Sequence, residues 1–196
     1  MLPTTKTRFL YLLFNMTTPM YECLISKKTS LKPIWFMRQA GRYLPEYREL
    51  RAKAGSFLNM AYNPDFAAEV TLQPIRRYGM DAAIIFSDIL VIPHALGQHL
   101  EFVPGEGPKL DAIKDAGGLG RLNYCKFQST LNPVYEALQK TKVGLQAEGH
   151  HGTALIGFCG APWTVACMAR KPKPCEAPRI PQLRRCTRRP SRGGRG

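Results

Sequence analysis

Three short apolar segments of the chain are bounded by charged or turn-forming residues, which is the pattern of buried strands. They span residues 33–37, 81–88 and 154–158. A continuous apolar run of this length is typical of a strand that is covered on both faces of a parallel sheet. Because helical patterns separate the three segments, the sequence predicts an α/β fold in which strands and helices alternate.

Two helices are predicted between the first and second strands. The first spans residues 45–54 and is closed by Gly55. The second runs from Asn63, which can cap its start, to Gly79, which can end it. Pro74 lies inside the second helix and predicts a kink or a break there.

The region between the second and third strands is predicted to contain a loop and a helix. Residues 91–108 are rich in proline and glycine, so we expect a long irregular excursion, and such loops on α/β scaffolds often bind ligands. A third helix is expected to start at Asn132 and Pro133 and to end near Gly149.

Two arginines four residues apart follow the first predicted strand. Gln39, Ala40 and Gly41 separate Arg38 from Arg42. In an α/β barrel the carboxyl ends of the strands form the working face. Guanidinium groups bind carboxylates and phosphates in a bidentate manner and stay charged. The sequence therefore predicts an anion-binding loop, with ordinary surface arginines as the alternative.

A carboxylate ends the second predicted strand. Asp88 closes the apolar run 81–88, and parallel strands present their carboxyl ends at the same edge of a sheet. Asp88 and Arg38 are therefore predicted to lie at the same end of the sheet. A structural ion pair with an arginine is the alternative role for Asp88.

The net charge of +14 is concentrated at the carboxyl-terminal end of the chain. Residues 169–196 contain ten Lys/Arg and one acid, a net of +9, which leaves +5 for residues 1–168. Few large aliphatic residues occur among the five prolines of this segment, so we expect a disordered tail. Such a tail could bind RNA. A frameshifted reading frame is the favoured explanation, because the composition changes in the middle of a motif, and nucleic-acid binding is not expected.

The remaining composition indicates a cytoplasmic protein. Six scattered cysteines without a Cys-x-x-Cys pair are expected to be reduced thiols. The apolar run 9–14 is too short to span a membrane, and no signal peptide is predicted. Met16 is a candidate for the true start, which would make residues 1–15 an extension. The four histidines have no spacing that predicts a metal site.

Four segments match the motifs of one known family in order and spacing. These segments are residues 37–47, 86–93, 104–108 and 157–164. They resemble the first signature, two internal blocks and the start of the second signature of the uroporphyrinogen decarboxylase family. Four ordered motifs are far more specific than one, and the resemblance covers roughly residues 20–167.

The resemblance implies a (β/α)8 TIM barrel, of which residues 16–168 would form the first part with about three strands. It implies an enzyme that removes four acetate carboxyl groups of uroporphyrinogen III as CO2, giving coproporphyrinogen III in haem biosynthesis. Such enzymes use no metal or organic cofactor, and full-length members are usually homodimers. No membrane partner is implied.

The resemblance also implies roles for the residues at the strand ends. The substrate carries eight carboxylates, so Arg38 and Arg42 are expected to clamp them, with the backbone of residues 39–41 beside them. Asp88 is expected to be catalytic: it would bind the pyrrole N–H groups and stabilise the cation that develops on the ring. Phe57 is a candidate for lining the pocket, with a core role favoured.

Arg51 is a further anion-binding candidate, although a solvated helix face is its favoured role.

The chain also departs from the family. The family's substrate-contacting tyrosine does not appear between Thr164 and Met168, and the second half of the barrel has no counterpart. We therefore expect little or no activity from this chain. The alternatives are a corrinoid-dependent methyltransferase relative, against which the two arginines argue, and a basic-tailed RNA-binding or scaffold protein.

Overall fold

The computed structural model describes residues 18–27, 32–103 and 106–170, which form an α/β structure. The helices are α1 (Pro19–Ser26), α2 (Pro45–Ala54), α3 (Phe57–Tyr62), α4 (Pro64–Tyr78), α5 (Val91–Ala95), α6 (Ala116–Gly120), α7 (Phe127–Ala147) and α8 (Pro162–Arg170). The strands are β1 (Ala82–Ile84), β2 (Leu100–Val103), β3 (Gly107–Leu110) and β4 (Ala154–Ile156). Strands β1 and β4 pair in parallel, and β2 and β3 form an antiparallel hairpin.

Helices α2 and α4 begin and end where the sequence predicts. Asn63 Oδ1 accepts hydrogen bonds from the backbone N–H groups of Asp65 and Phe66, both at 3.0 Å. Gly79 follows α4 with a φ of 62°, in the left-handed region that favours glycine. The possible break at Pro74 does not occur, because α4 runs unbroken through this residue. Pro74 is fully buried, so packing on all sides of the ring offsets its local cost.

Strands β1 and β4 confirm the second and third predicted strands, although both are shorter than predicted. Ala82 pairs with Ala154 and Ile84 with Ile156. The ladder continues beyond β1, since the N–H of Ile85 donates to the carbonyl of Ile156 at 3.0 Å. The parallel arrangement places helices between the two strands in the sequence, as a βαβ connection requires.

Helix α7 packs closely against α4. Leu145 of α7 and Leu72 of α4 belong to one buried cluster. A Cβ at Gly144 would lie 2.6 Å from Leu72 Cδ1, so a side chain at this position would require the Leu72 side chain to move. Helix α7 begins five residues before Asn132 and continues through Pro133, so the predicted start of the third helix is wrong.

The first predicted strand, residues 33–37, is also wrong, because this segment has no regular secondary structure and belongs to no sheet. The N–H of Asp81 donates to the carbonyl of Ile34 at 3.0 Å, and the Asp81 carboxylate accepts from the N–H of Ile34 at 2.7 Å. Ile34, Phe36 and Met37 are each more than half exposed. The apolar run therefore does not have the buried faces that its composition predicts, and the described residues hold two parallel strands.

The irregular excursion predicted for residues 91–108 is wrong as well. Helix α5 and the β2–β3 hairpin occupy most of it, while residues 104 and 105 lie outside the described part. Val91, Ala95 and Leu100 are buried. A helix and a hairpin form instead of an irregular loop because the apolar residues between the prolines and glycines pack against the core.

Parts of the predicted domain organisation lie outside the described residues. The extension 1–15 is one of them, and so is the tail from residue 171 onward. Residues 169 and 170, which were assigned to the tail, instead end helix α8. In the ranges that the structure describes, no helix has both the length and the apolar character needed to cross a membrane.

Candidate functional site

The arginine loop, residues 38–42, is attached to β1 by the side chain of Gln39. Gln39 Nε2 donates to the carbonyl of Ala82 at 2.7 Å, and Gln39 Oε1 accepts from the N–H of Ile84 at 3.1 Å. This side chain is only 2% exposed. It satisfies backbone groups along β1 in the way that a neighbouring strand would. Because its amide is occupied within the protein, Gln39 can contact a substrate only through its backbone.

The arginine loop and the segment that follows β1 lie at the same end of β1. The contacts of residues 34–39 with residues 81–84 advance in the same direction along both segments. Ala40 and Phe86 then pack against the same buried cluster. The structure therefore brings the arginine loop close to the residues that lead into Asp88.

Both arginines of the loop are exposed to solvent. Among the described residues, neither Arg38 nor Arg42 has a carboxylate within 4 Å. Side-chain hydrogen bonds fix two carbonyl groups of the loop backbone. The Tyr43 hydroxyl donates to the carbonyl of Gln39, and Arg48 Nη1 donates to the carbonyl of Arg42 at 3.0 Å. A held backbone with two exposed guanidinium groups can bind an anion without first breaking an ion pair within this region.

Asp88 lies in the turn between β1 and α5 and is partly buried. Asp88 Oδ1 accepts a hydrogen bond from the N–H of Leu90 at 2.8 Å. Burial raises the pKa of the Asp88 carboxyl, and the Leu90 hydrogen bond offsets part of this rise. In the described ranges no cationic side chain lies within 4 Å of Asp88. A carboxylate in this setting is well placed to stabilise a cation brought next to it.

Two polar residues near Asp88 were missed by the sequence analysis. Tyr62 Oη and His94 Nδ1 share a hydrogen bond of 2.8 Å. Burial raises the pKa of Tyr62 to about 12, and the negative charge of Asp88 adds to this rise. Burial also lowers the pKa of His94, so its neutral form is favoured. His94 follows a recognised motif by one residue, but nothing in the sequence pairs it with Tyr62.

The structure gives two further candidates ordinary surroundings. The Phe57 ring centroid lies 5.3 Å from that of Phe86 and 4.4 Å from that of Phe102, which is aromatic core packing. Arg51 is half-buried in the last turn of α2. Contact of either residue with a ligand stays a prediction.

Metal ligands are not clustered in this part of the chain. Across the described ranges, no group of three or more His, Cys, Asp or Glu side chains could hold a metal ion.

The described part of the chain is thus an α/β structure with two parallel strands, a loop with two exposed arginines and a turn with a partly buried carboxylate.

Comparison with known proteins identifies the family. The family model described as "Uroporphyrinogen decarboxylase (URO-D)" matches residues 16–177. This match spans most of the chain, and the chain belongs to this family. The matched range extends nine residues past the predicted boundary at residue 168, into the basic segment.

Individual relatives agree with this assignment. Three relatives named uroporphyrinogen decarboxylase, each from a different organism, are similar to this chain. The protein of Chelativorans sp. (strain BNC1) is 55% identical over 159 residues, which is 80% of this chain and 45% of the relative. That of Jannaschia sp. (strain CCS1) is 53% identical over 158 residues, 79% of this chain and 45% of the relative. That of Agrobacterium fabrum (strain C58 / ATCC 33970) is 55% identical over 143 residues, 73% of this chain and 40% of the relative. The chain thus spans less than half the length of these relatives.

Proposed function

We propose that this chain carries the amino-terminal part of a substrate site that converts uroporphyrinogen III to coproporphyrinogen III, with release of four acetate carboxyl groups as CO2. One observation carries the proposal: the arginine loop, with its two exposed guanidinium groups, and the Asp88 turn lie at the same end of β1. The identity of more than 50% to proteins named for this activity supports it.

The arginines would bind the carboxylates of the substrate. Arg38 and Arg42 are exposed, and Gln39 anchors the loop between them to β1. A guanidinium group can form two parallel hydrogen bonds with a carboxylate. Two such groups on an anchored loop would hold two carboxylates of a macrocycle and orient its ring against the turn that follows β1.

Asp88 would act on the pyrrole ring that loses CO2. Protonation of the ring carbon beside the acetate gives a cation, and this cation accepts the electron pair of the breaking C–CO2 bond. The released methylene carbon then takes up a proton and becomes a methyl group, and the ring carbon gives up the proton that it had gained, which restores the neutral aromatic pyrrole. The Asp88 carboxylate would accept hydrogen bonds from pyrrole N–H groups and lower the energy of the cationic intermediate, and its partial burial strengthens this interaction.

The wider properties of the family enter the same proposal. The described strands would be part of a (β/α)8 barrel whose other strands come from elsewhere in a full-length protein. The reaction would use no metal or organic cofactor, because the protonated pyrrole is itself the electron acceptor. We further propose a cytoplasmic location and, for the full-length form, a homodimer.

A chimaeric enzyme provides the test of activity. Residues 16–168 of this chain would replace the matching region of the relative from Chelativorans sp.. We expect the chimaera to produce coproporphyrinogen under anaerobic conditions, and Asp88→Asn to reduce kcat at least about a hundredfold, as loss of one stabilising group typically does. An active Asp88→Asn chimaera would refute the catalytic role.

Binding can be measured on the 196-residue chain itself. Calorimetry with uroporphyrinogen III under nitrogen should show that Arg38→Gln and Arg42→Gln each weaken binding about tenfold, the usual size for a charged hydrogen bond. Arg121→Gln is the matched control, since Arg121 is also exposed but lies beyond α6. Equal losses in all three variants would indicate non-specific attraction to a basic protein.

A further inference from the structure

A hydrogen bond joins two helices immediately beside the Asp88 turn. Tyr62 is the last residue of α3, and His94 lies in α5. Tyr62 Oη and His94 Nδ1 are 2.8 Å apart, and the two ring centroids are 5.4 Å apart. Both side chains are partly buried, so water competes less with this bond than with a surface one.

His94 belongs to the same short unit as Asp88. The N–H of His94 donates to the carbonyl of Leu90 at 3.1 Å, and the N–H of Leu90 donates to the Asp88 carboxylate at 2.8 Å. The N–H of Val91 also donates to the carbonyl of Asp88 at 3.3 Å. A displacement of α5 would therefore move the carboxylate as well.

The Tyr62 ring is one of the side chains that pack against α5. It packs against a buried cluster that includes Val91 and Ala95 of α5 and Leu131 of α7. The charge of Asp88 is near enough to contribute to the raised pKa of Tyr62. The Tyr62 hydroxyl thus binds the His94 imidazole and lies within electrostatic range of the Asp88 carboxylate.

We propose that Tyr62 and His94 are positioning residues for Asp88, and that their hydrogen bond fixes α5, and with it the turn that presents the Asp88 carboxylate to a ligand. This inference rests on the proposed function for the identity of the ligand. Neither residue needs to touch the ligand, because each acts through the Asp88 turn.

The ligand-independent test is amide hydrogen exchange in the full 196-residue chain, measured residue by residue by NMR. Tyr62→Phe keeps the ring and removes only the hydroxyl. We expect the amides of Leu90 and His94 to exchange about fivefold faster, as loss of one hydrogen bond allows, with α7 unchanged. Tyr135→Phe is the matched control, because Tyr135 is an exposed tyrosine of α7.

A rescue experiment separates the hydrogen bond from packing. His94→Ala should accelerate the same two amides, whereas His94→Asn should restore slow exchange, since the asparagine side-chain oxygen can occupy the place of Nδ1. Unchanged exchange at Leu90 in Tyr62→Phe would overturn the proposal. Equal acceleration throughout α7 would also overturn it, because that result means a general loss of stability.

The link to the ligand is tested by a double-mutant cycle with uroporphyrinogen III. Tyr62→Phe should weaken binding about fivefold when Asp88 is present, and should have no further effect in the Asp88→Asn chain. Additive losses would show that Tyr62 does not act through Asp88 and would overturn the proposal. If the unsubstituted chain fails to bind, the proposed function fails, and the exchange data still decide whether Tyr62 and His94 hold the turn.

Discussion

Removal of the Gln39 side chain should destabilise the fold more than its place in a loop suggests. Gln39→Ala deletes the weak contact with the Met80 sulfur and two hydrogen bonds to β1, and leaves the carbonyl of Ala82 and the N–H of Ile84 without their partner. A buried polar group without a partner costs about 1–3 kcal/mol. Ala82 is fully buried and Ile84 only partly, so water can replace one bond more readily than the other. We expect a loss of about 2–4 kcal/mol.

Urea unfolding followed by circular dichroism measures this loss. With a slope of about 1–3 kcal/mol per molar urea, the midpoint should fall by about 1 M or more. Gln139→Ala, at an exposed glutamine of α7, is the control and should leave the midpoint nearly unchanged. A loss in Gln39→Ala of less than about 0.5 kcal/mol, the range of ordinary surface substitutions, would refute the reasoning.

Three further predictions concern other parts of the molecule. Because burial raises the folded-state pKa of Asp88, ionisation of Asp88 destabilises the folded chain as pH rises through that pKa. Asp88→Asn should therefore raise the thermal unfolding midpoint at pH 7, and its difference from the unsubstituted chain should shrink in acid. A lower midpoint for Asp88→Asn at pH 7 would contradict this reasoning. Gly144→Ala places a Cβ 2.6 Å from Leu72 Cδ1, so the Leu72 side chain must move, and this offsets part of the gain of about 1 kcal/mol that alanine brings to a helix interior. In urea unfolding Gly144→Ala should therefore be less favourable than Gly120→Ala, which has nothing within 4 Å; equal effects would refute the close approach. Deletion of residues 171–196 should abolish any RNA affinity that falls steeply with salt, and retained affinity measured by filter binding would place that activity elsewhere.

The helices whose boundaries the sequence predicts correctly have capping and terminating residues next to them in the chain. Asn63 caps α4 and Gly79 ends it, so both boundaries can be derived from neighbouring residues. Strands β1 and β4 coincide with predicted apolar runs, although only β1 is largely buried and β4 is partly exposed. Pro74 does not break α4 as one alternative of the sequence prediction required, since packing around a fully buried ring is not encoded within the helix itself.

Other features depend on contacts between distant parts of the sequence. Residues 33–37 have the composition of a buried strand, but Ile34 and Phe36 are exposed, and a glutamine side chain takes the place of the backbone pairing expected beside β1. Similarly, Tyr62 and His94 are 32 positions apart in the chain, and neither residue type predicts a contact with the other. Only the folded arrangement of α3 and α5 makes that pair visible.

The register of β1 and β4 has a consequence for the order of folding. Ala82 and its partner Ala154 are 72 positions apart in the chain, so the parallel pair closes a long loop, and closure of such loops slows folding. Helices α2, α3 and α4 pack against one another from adjacent positions and can assemble beforehand. During synthesis, the edge of β1 that pairs with β4 would therefore stay unpaired until residue 156 has left the ribosome. In that interval a chaperone or a strand of another protein could bind to this edge.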